Sequence, residues 1–118
     1  MANLTTAGLP AFNVLIKRDD DAQVWSAHCL EMDLVEDGEN KFEALFGLFQ
    51  NMAAQIRECE EAGIHYMHPA PAEYYAELER AIPLSIEDVE ADRTWPNIPL
   101  HLALREIKNG PSNSYPSF

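Results

Sequence analysis

The chain has 118 residues, 47% of them apolar, with twenty acids against eight bases and a formal net charge of −12. That length and apolar content suit one folded domain and exclude wholesale disorder. The charge argues against a nucleic-acid reader, which needs Lys and Arg to replace phosphate counterions, and no run of roughly eighteen apolar residues marks a membrane span.

Residues 1–9 read as a flexible tail, with no basic start followed by an apolar stretch and so no secretory signal. AFNVLIK, residues 11–17, alternates as a strand with Phe12, Val14 and Ile16 on one face. RDDDA, 18–22, is a turn, since Asp solvates well and tolerates turn geometry. QVWSAHC, 23–29, is a second strand, with Trp25, Ala27 and Cys29 on one side and Val24, Ser26 and His28 on the other. The short gap makes the two an antiparallel hairpin. A third, weaker strand is expected over Met32–Glu36, ending at Asp37-Gly38.

The period then changes from two to 3.6. Asn40 is an N-cap with Glu43 three residues on, and Phe42, Leu45, Phe46, Phe49, Met52, Ala53 and Ile56 form one stripe, broadened by Ala44 and Leu48. This helix, the longest element, should reach about Glu61 and stop at Gly63. HYMHPAP, 65–71, is a connector. Residues 72–81 read as a short helix burying Tyr75, Leu78 and Ile82, ended by Pro83. Ser85–Ala91 suggests one more helical turn. LHLALREI, 100–107, alternates as a fourth strand at the sheet edge, with a short helix as the other reading, and 109–118 has the composition of a flexible tail. The expected architecture is α+β: a small antiparallel sheet in the order β-β-β-α-β under one long helix. It forms a single domain over residues 10–108, with an irregular extension from about residue 73.

One ten-residue window holds His28, Cys29, Glu31, Asp33, Glu36 and Asp37. These are metal-binding and proton-moving groups, yet neighbours on a strand point to opposite faces, so His28 and Cys29 cannot share an ion without distortion. His28, Glu31 and Asp33 could meet if the chain turns at Leu30, and His65 and His68 could join them. No HExxH, P-loop, GxSxG or GxGxxG supports catalysis. The acids at 19–21 sit on a turn with no rigid frame. Cys29 and Cys59 lack a CxxC pattern and read as free thiols of a cytoplasmic protein. No cofactor, metal set or catalytic set is expected. The broad helix stripe and an open sheet edge point to self-association.

Three stretches, NVLIKRDDD, VWSAHCLEMDL and DGENKFEALFGLFQNMAAQI, together with AGIHYMHPAP, resemble the HicB-like antitoxin family over about residues 11–72. Asn40 stands where the family usually places a Thr cap. The resemblance implies a partial ribonuclease H-like fold without catalytic acids, and a non-enzymatic antitoxin that masks a small basic HicA-type toxin. It also implies a DNA-binding module in many members, from which this sequence departs: residues 73–118 show no recognition helix and few basic residues. Charge and resemblance agree on an acidic docking surface, with Asp19, Asp20, Glu31, Asp33 and Glu36 as its expected residues. A solitary scaffold or regulatory protein of the same fold is one alternative. A metal-dependent hydrolase using His28, His65 and His68 is another.

Overall fold

Among the described residues five strands, β1 (Ala11–Asp19), β2 (Val24–Cys29), β3 (Leu34–Gly38), β4 (Ile82–Pro83) and β5 (His101–Glu106), form one sheet in the order β3-β2-β1-β5-β4, covered on one face by a long helix. The computed structural model describes residues 11–89, 94–96 and 101–107. The tails expected at 1–9 and 109–118 lie outside these residues. β1, β2 and β3 make an antiparallel meander. α1 (Lys41–Ala62) follows, then α2 (Ala72–Glu77), β4 and β5. The fold is α+β, as the change of period from two to 3.6 implies.

α1 forms where capping and patterning agree. The Asn40 side chain accepts from the Glu43 N–H at 2.9 Å, and Gly63 closes the helix at φ 71°, its N–H reaching the Cys59 and Glu60 carbonyls. That left-handed conformation carries no Cβ penalty only in glycine. Leu45, Leu48 and Met52 are wholly buried against Phe12, Val14, Ile16, Ala27 and Cys29. Full burial of each such side chain contributes about 1.5–3 kcal/mol. The outer flank of the stripe is met by the same chain: the Trp95 ring lies 5.0 Å from that of Phe42 and 5.5 Å from that of Phe49. Leu84, Ile86 and Leu102 pack onto this core as well.

Three details differ from the sequence expectation. The sheet is mixed, because β5 runs parallel to β1, with Phe12 opposite Leu102 and Val14 opposite Leu104. β5 lies between β1 and the two-residue β4, not at the sheet edge. Alternation identifies a strand but carries no information on its direction; the long crossover through α1 lets β5 run the same way as β1. The third strand starts at Leu34 and not at Met32, since Leu30–Asp33 form the turn and Met32 is buried within it. The short helix ends at Glu77, continues as a 3-10 turn over Leu78–Arg80, and releases Ile82 into β4. Ile82 is therefore exposed, while Tyr75 and Leu78 are half-buried as a helix face requires. The expected turn after Ser85 is a 3-10 turn over Ile86–Asp88 whose Ser85 hydroxyl accepts from the Glu87 N–H.

Candidate functional site

Strand geometry sorts the opening window onto two faces. Ala27 and Cys29 face α1, so their neighbour His28 faces away, beside Lys17 and Ser26. The turn Leu30–Asp33 folds the chain back, and Asp33, at φ 52°, brings its carboxylate 2.8 Å from the His28 Nε2. His28 is buried, and the Tyr74 ring of α2 meets it edge-on at 4.9 Å between centroids. Lys17 lies 5.9 Å from the same ring and 3.3 Å from the Glu77 carboxylate. With Ser26, Val35 and Pro71 these side chains line an open cleft of about 350 Å³. Ser26, His28 and Asp33 are nucleophile, base and acid by type. The His28 Nε2 is turned to Asp33, and no hydrogen bond joins His28 to Ser26 among the described residues. The arrangement is a polar floor in which Asp33 holds the His28 ring.

Glu31 is buried and clamped. Its two oxygens accept from the Asn13 backbone N–H at 2.7 Å and the Asn13 side-chain amide at 2.8 Å. The connector after α1 fastens the same turn, with the His68 N–H donating to the Glu31 carbonyl and the Ala70 N–H to the Leu30 carbonyl. Burial, then the charge of Glu31 and a hydrogen bond to it, push the Tyr75 phenol above its ordinary value. Burial likewise pushes the Cys29 thiol up to about 11, with the Glu31 charge adding to the effect and hydrogen bonds from the Met32 and Glu31 backbone opposing it. Both cysteines are buried free thiols.

The five expected docking residues do not share one patch. Asp19 and Asp20 lie at the β1–β2 tip, where the Asp19 carboxylate accepts from the Asp21 and Ala22 N–H groups and Asp20 faces Arg18 at 3.5 Å. Asp33 sits at the opposite end of the β2–β3 hairpin, bonded to His28. Glu31 is inside, spent on Asn13. Glu36 pairs with Ala27 and so faces α1, where it accepts from the Asn51 amide and lies against Gly47. What joins the tip acids is Asp37: with Lys17, Arg18, Asp19, Asp20, Asp21 and Ser26 it lines an open cleft of about 430 Å³.

Sequence reasoning passed over Asp37 in favour of Glu36, although the period-two rule places Glu36 on the same side as the buried Ala27. It also missed Asn13, whose signal was a polar residue in the middle of an apolar strand. Among the described residues, no group of three His, Cys, Asp or Glu side chains lies close enough to hold a metal ion. His65 and His68 are exposed on the connector. Among the described residues no helix is long and apolar enough to cross a membrane.

Comparison with known proteins found no family model, no curated protein and no solved structure that matches this chain.

Proposed function

We propose that this protein is a non-enzymatic binding protein of the HicB-like antitoxin type that captures a small basic protein, with the toxin class as the partner of first choice. The observation that carries this reading is how its charges are arranged. Lys17, Arg18, Lys41 and Arg80 each face a carboxylate of the same chain. Asp20, Asp21, Asp37, Glu39 and Glu43 are exposed along the hairpin tip and the β3–α1 junction. The surface there is anionic, its nearby cations already engaged, which draws a basic partner and sets its approach. The three-stranded meander followed by a long helix and a strand beside β1 supports the same reading, since that is the arrangement the resemblance implies. The docking surface in this reading centres on the β1–β2 tip with Asp37. Glu31 and Glu36 serve the fold.

The test is co-expression with a HicA-type toxin, or with any small basic protein found encoded beside this chain, read by growth and by affinity purification at low and high salt. The reading expects relief of any growth arrest and a complex that dissociates as salt rises. A neighbouring toxin whose effect is unchanged, with no complex at low salt, refutes it. Self-association alone at both salts assigns the protein to the solitary scaffold class instead.

A further inference from the structure

The edge strand β3 presents unpaired backbone groups to solvent, and its ladder fixes which ones. The Leu30 N–H donates to the Asn13 carbonyl, and the Ile107 N–H to the Ile16 carbonyl. Odd residues of β1 therefore bond toward β2, and even ones toward β5. Alternation in the antiparallel ladder then assigns Ser26 and His28 to β1, and Trp25, Ala27 and Cys29 to β3. On β3, Leu34, Glu36 and Gly38 answer β2. The N–H and C=O of Val35 and Asp37 point outward. Among the described residues no strand lies beyond β3. Val35 is 50% exposed, and Asp33, Asp37 and Glu39 beside it are exposed too.

Such an edge is a template for a further strand, and proteins commonly guard it with charged side chains, Pro or a bulge. β3 has no Pro and no bulge, and its charges are all acidic, so the guard repels an acidic strand and admits one that carries Lys or Arg. We infer that β3 is the docking strand, and that its occupant is a β-strand of a basic partner, added to the sheet through Val35 and Asp37 with Lys or Arg opposite Asp33 and Asp37. The inference rests on the proposed capture of a basic protein and specifies how the partner is held: backbone hydrogen bonds give the affinity and charge selects the strand. Charge also disfavours a second copy of this chain. Antiparallel self-pairing centred on Glu36 sets Glu36 against Glu36 and Asp33 against Glu39. A shift one way sets Asp33 against Asp37, and a shift the other way sets Asp37 against itself. The registers centred on Glu36 and on Asp37 oppose like charges within β3, and the third does so at Asp33 on the turn beside it, which is destabilising directly across a strand pair.

Val35→Pro tests this without touching the ladder, because the Val35 N–H faces outward and proline is tolerated on an edge strand. The probe is an eight-residue peptide of alternating L-Lys and L-Val, acetylated and amidated. Its control has the same composition and charge but alternates L-Lys with D-Val, which cannot hold the pleat. Binding is read by calorimetry at low salt, with urea unfolding of Val35→Pro showing that the fold is kept. The expected result is about tenfold or tighter binding of the all-L peptide than of the control, with that preference lost in Val35→Pro. Equal binding of both peptides overturns the edge-strand inference and leaves the acidic capture reading standing. Binding of neither overturns both. A homodimer that Val35→Pro dissociates, seen by sedimentation, overturns the choice of a basic occupant.

Discussion

Gly38 ends β3 directly beneath the start of α1, and its missing side chain is what lets the two meet. A Cβ built there would lie 2.5 Å from the Ala44 backbone nitrogen, and 2.9 Å from both the carbonyl carbon and the Cβ of Glu43. No rotamer change relieves a clash with backbone, so Gly38→Ala must push the first turn of α1 away from the strand. That turn is pinned by Asn40, which bonds the Glu43 N–H through its side chain and the Ala44 N–H through its carbonyl. Displacing it strains a cap worth about 1 kcal/mol and adds an overpacking cost of about 1–3 kcal/mol. Replacing glycine lowers the entropy of the unfolded chain, which returns about 0.4–1 kcal/mol. The net expectation is a loss of about 1–3 kcal/mol. Urea unfolding should show a lower midpoint at unchanged slope, because the surface exposed on unfolding hardly changes. A midpoint equal to or above that of the parent protein would refute the argument that close strand–helix approach requires glycine here.

Gly47 offers the opposite sign. It lies inside α1, where an added Cβ would meet the Glu36 carboxylate tip at 3.3 Å, a side-chain end that can give by a few tenths of an ångström, so Gly47→Ala should gain about 0.5–1 kcal/mol of helix propensity in the same urea assay. Lys41 reaches the buried Glu106 carboxylate at 2.7 Å and lies 5.0 Å from the Trp25 ring centroid. Lys41→Ala should lose about 2–3 kcal/mol by taking the cation from that carboxylate, and the double variant Lys41→Met with Glu106→Leu should recover much of it. Because burial raises the Cys29 thiol to about 11, the folded protein holds this proton where the unfolded chain releases it. The stability so contributed is complete below the ordinary thiol range and declines as pH rises from about 9 to 11, by about 2–3 kcal/mol in all. The pH slope of urea stability over that window should flatten in Cys29→Ala. At neutral pH a thiol reagent should label neither buried cysteine until the protein unfolds.

The elements were legible where local and global signals agree. The period-two run at residues 12–16, the Asn40 cap, the Phe-rich stripe and the Gly63 stop all have causes contained in a few neighbouring residues, and α1 lies within a residue of the expected end. What stayed hidden depends on tertiary pairing. The direction of β5 is set by a crossover whose path no residue pattern encodes. The burial of Glu31 depends on Asn13, eighteen positions away in sequence. The turn at Leu30 was foreseen as a condition for His28 to meet Asp33, and that pair forms. Charge and resemblance place Glu36 on the docking surface, whereas the alternation that places Ala27 inward turns Glu36 toward α1 as well. Asp37, its outward neighbour, carries the surface role in the proposed reading.

The parallel pairing of β1 with β5 also bears on when the sheet can form. β1 is its central strand, yet one of its two neighbours is supplied by residues 101–106, the last described strand. On a ribosome working at roughly 5–20 residues per second, the β1–β2–β3 meander and α1 are complete several seconds before β5 emerges. Through that interval the even residues of β1 have no backbone partner, and the core side chains Phe12 and Val14 wait for Leu102 and Leu104. Closing so distant a contact makes the final step slow relative to the local hairpins. The nascent protein therefore displays two open edges, the transient one on β1 and the lasting one on β3. Among the described residues, only the first is closed by the chain itself.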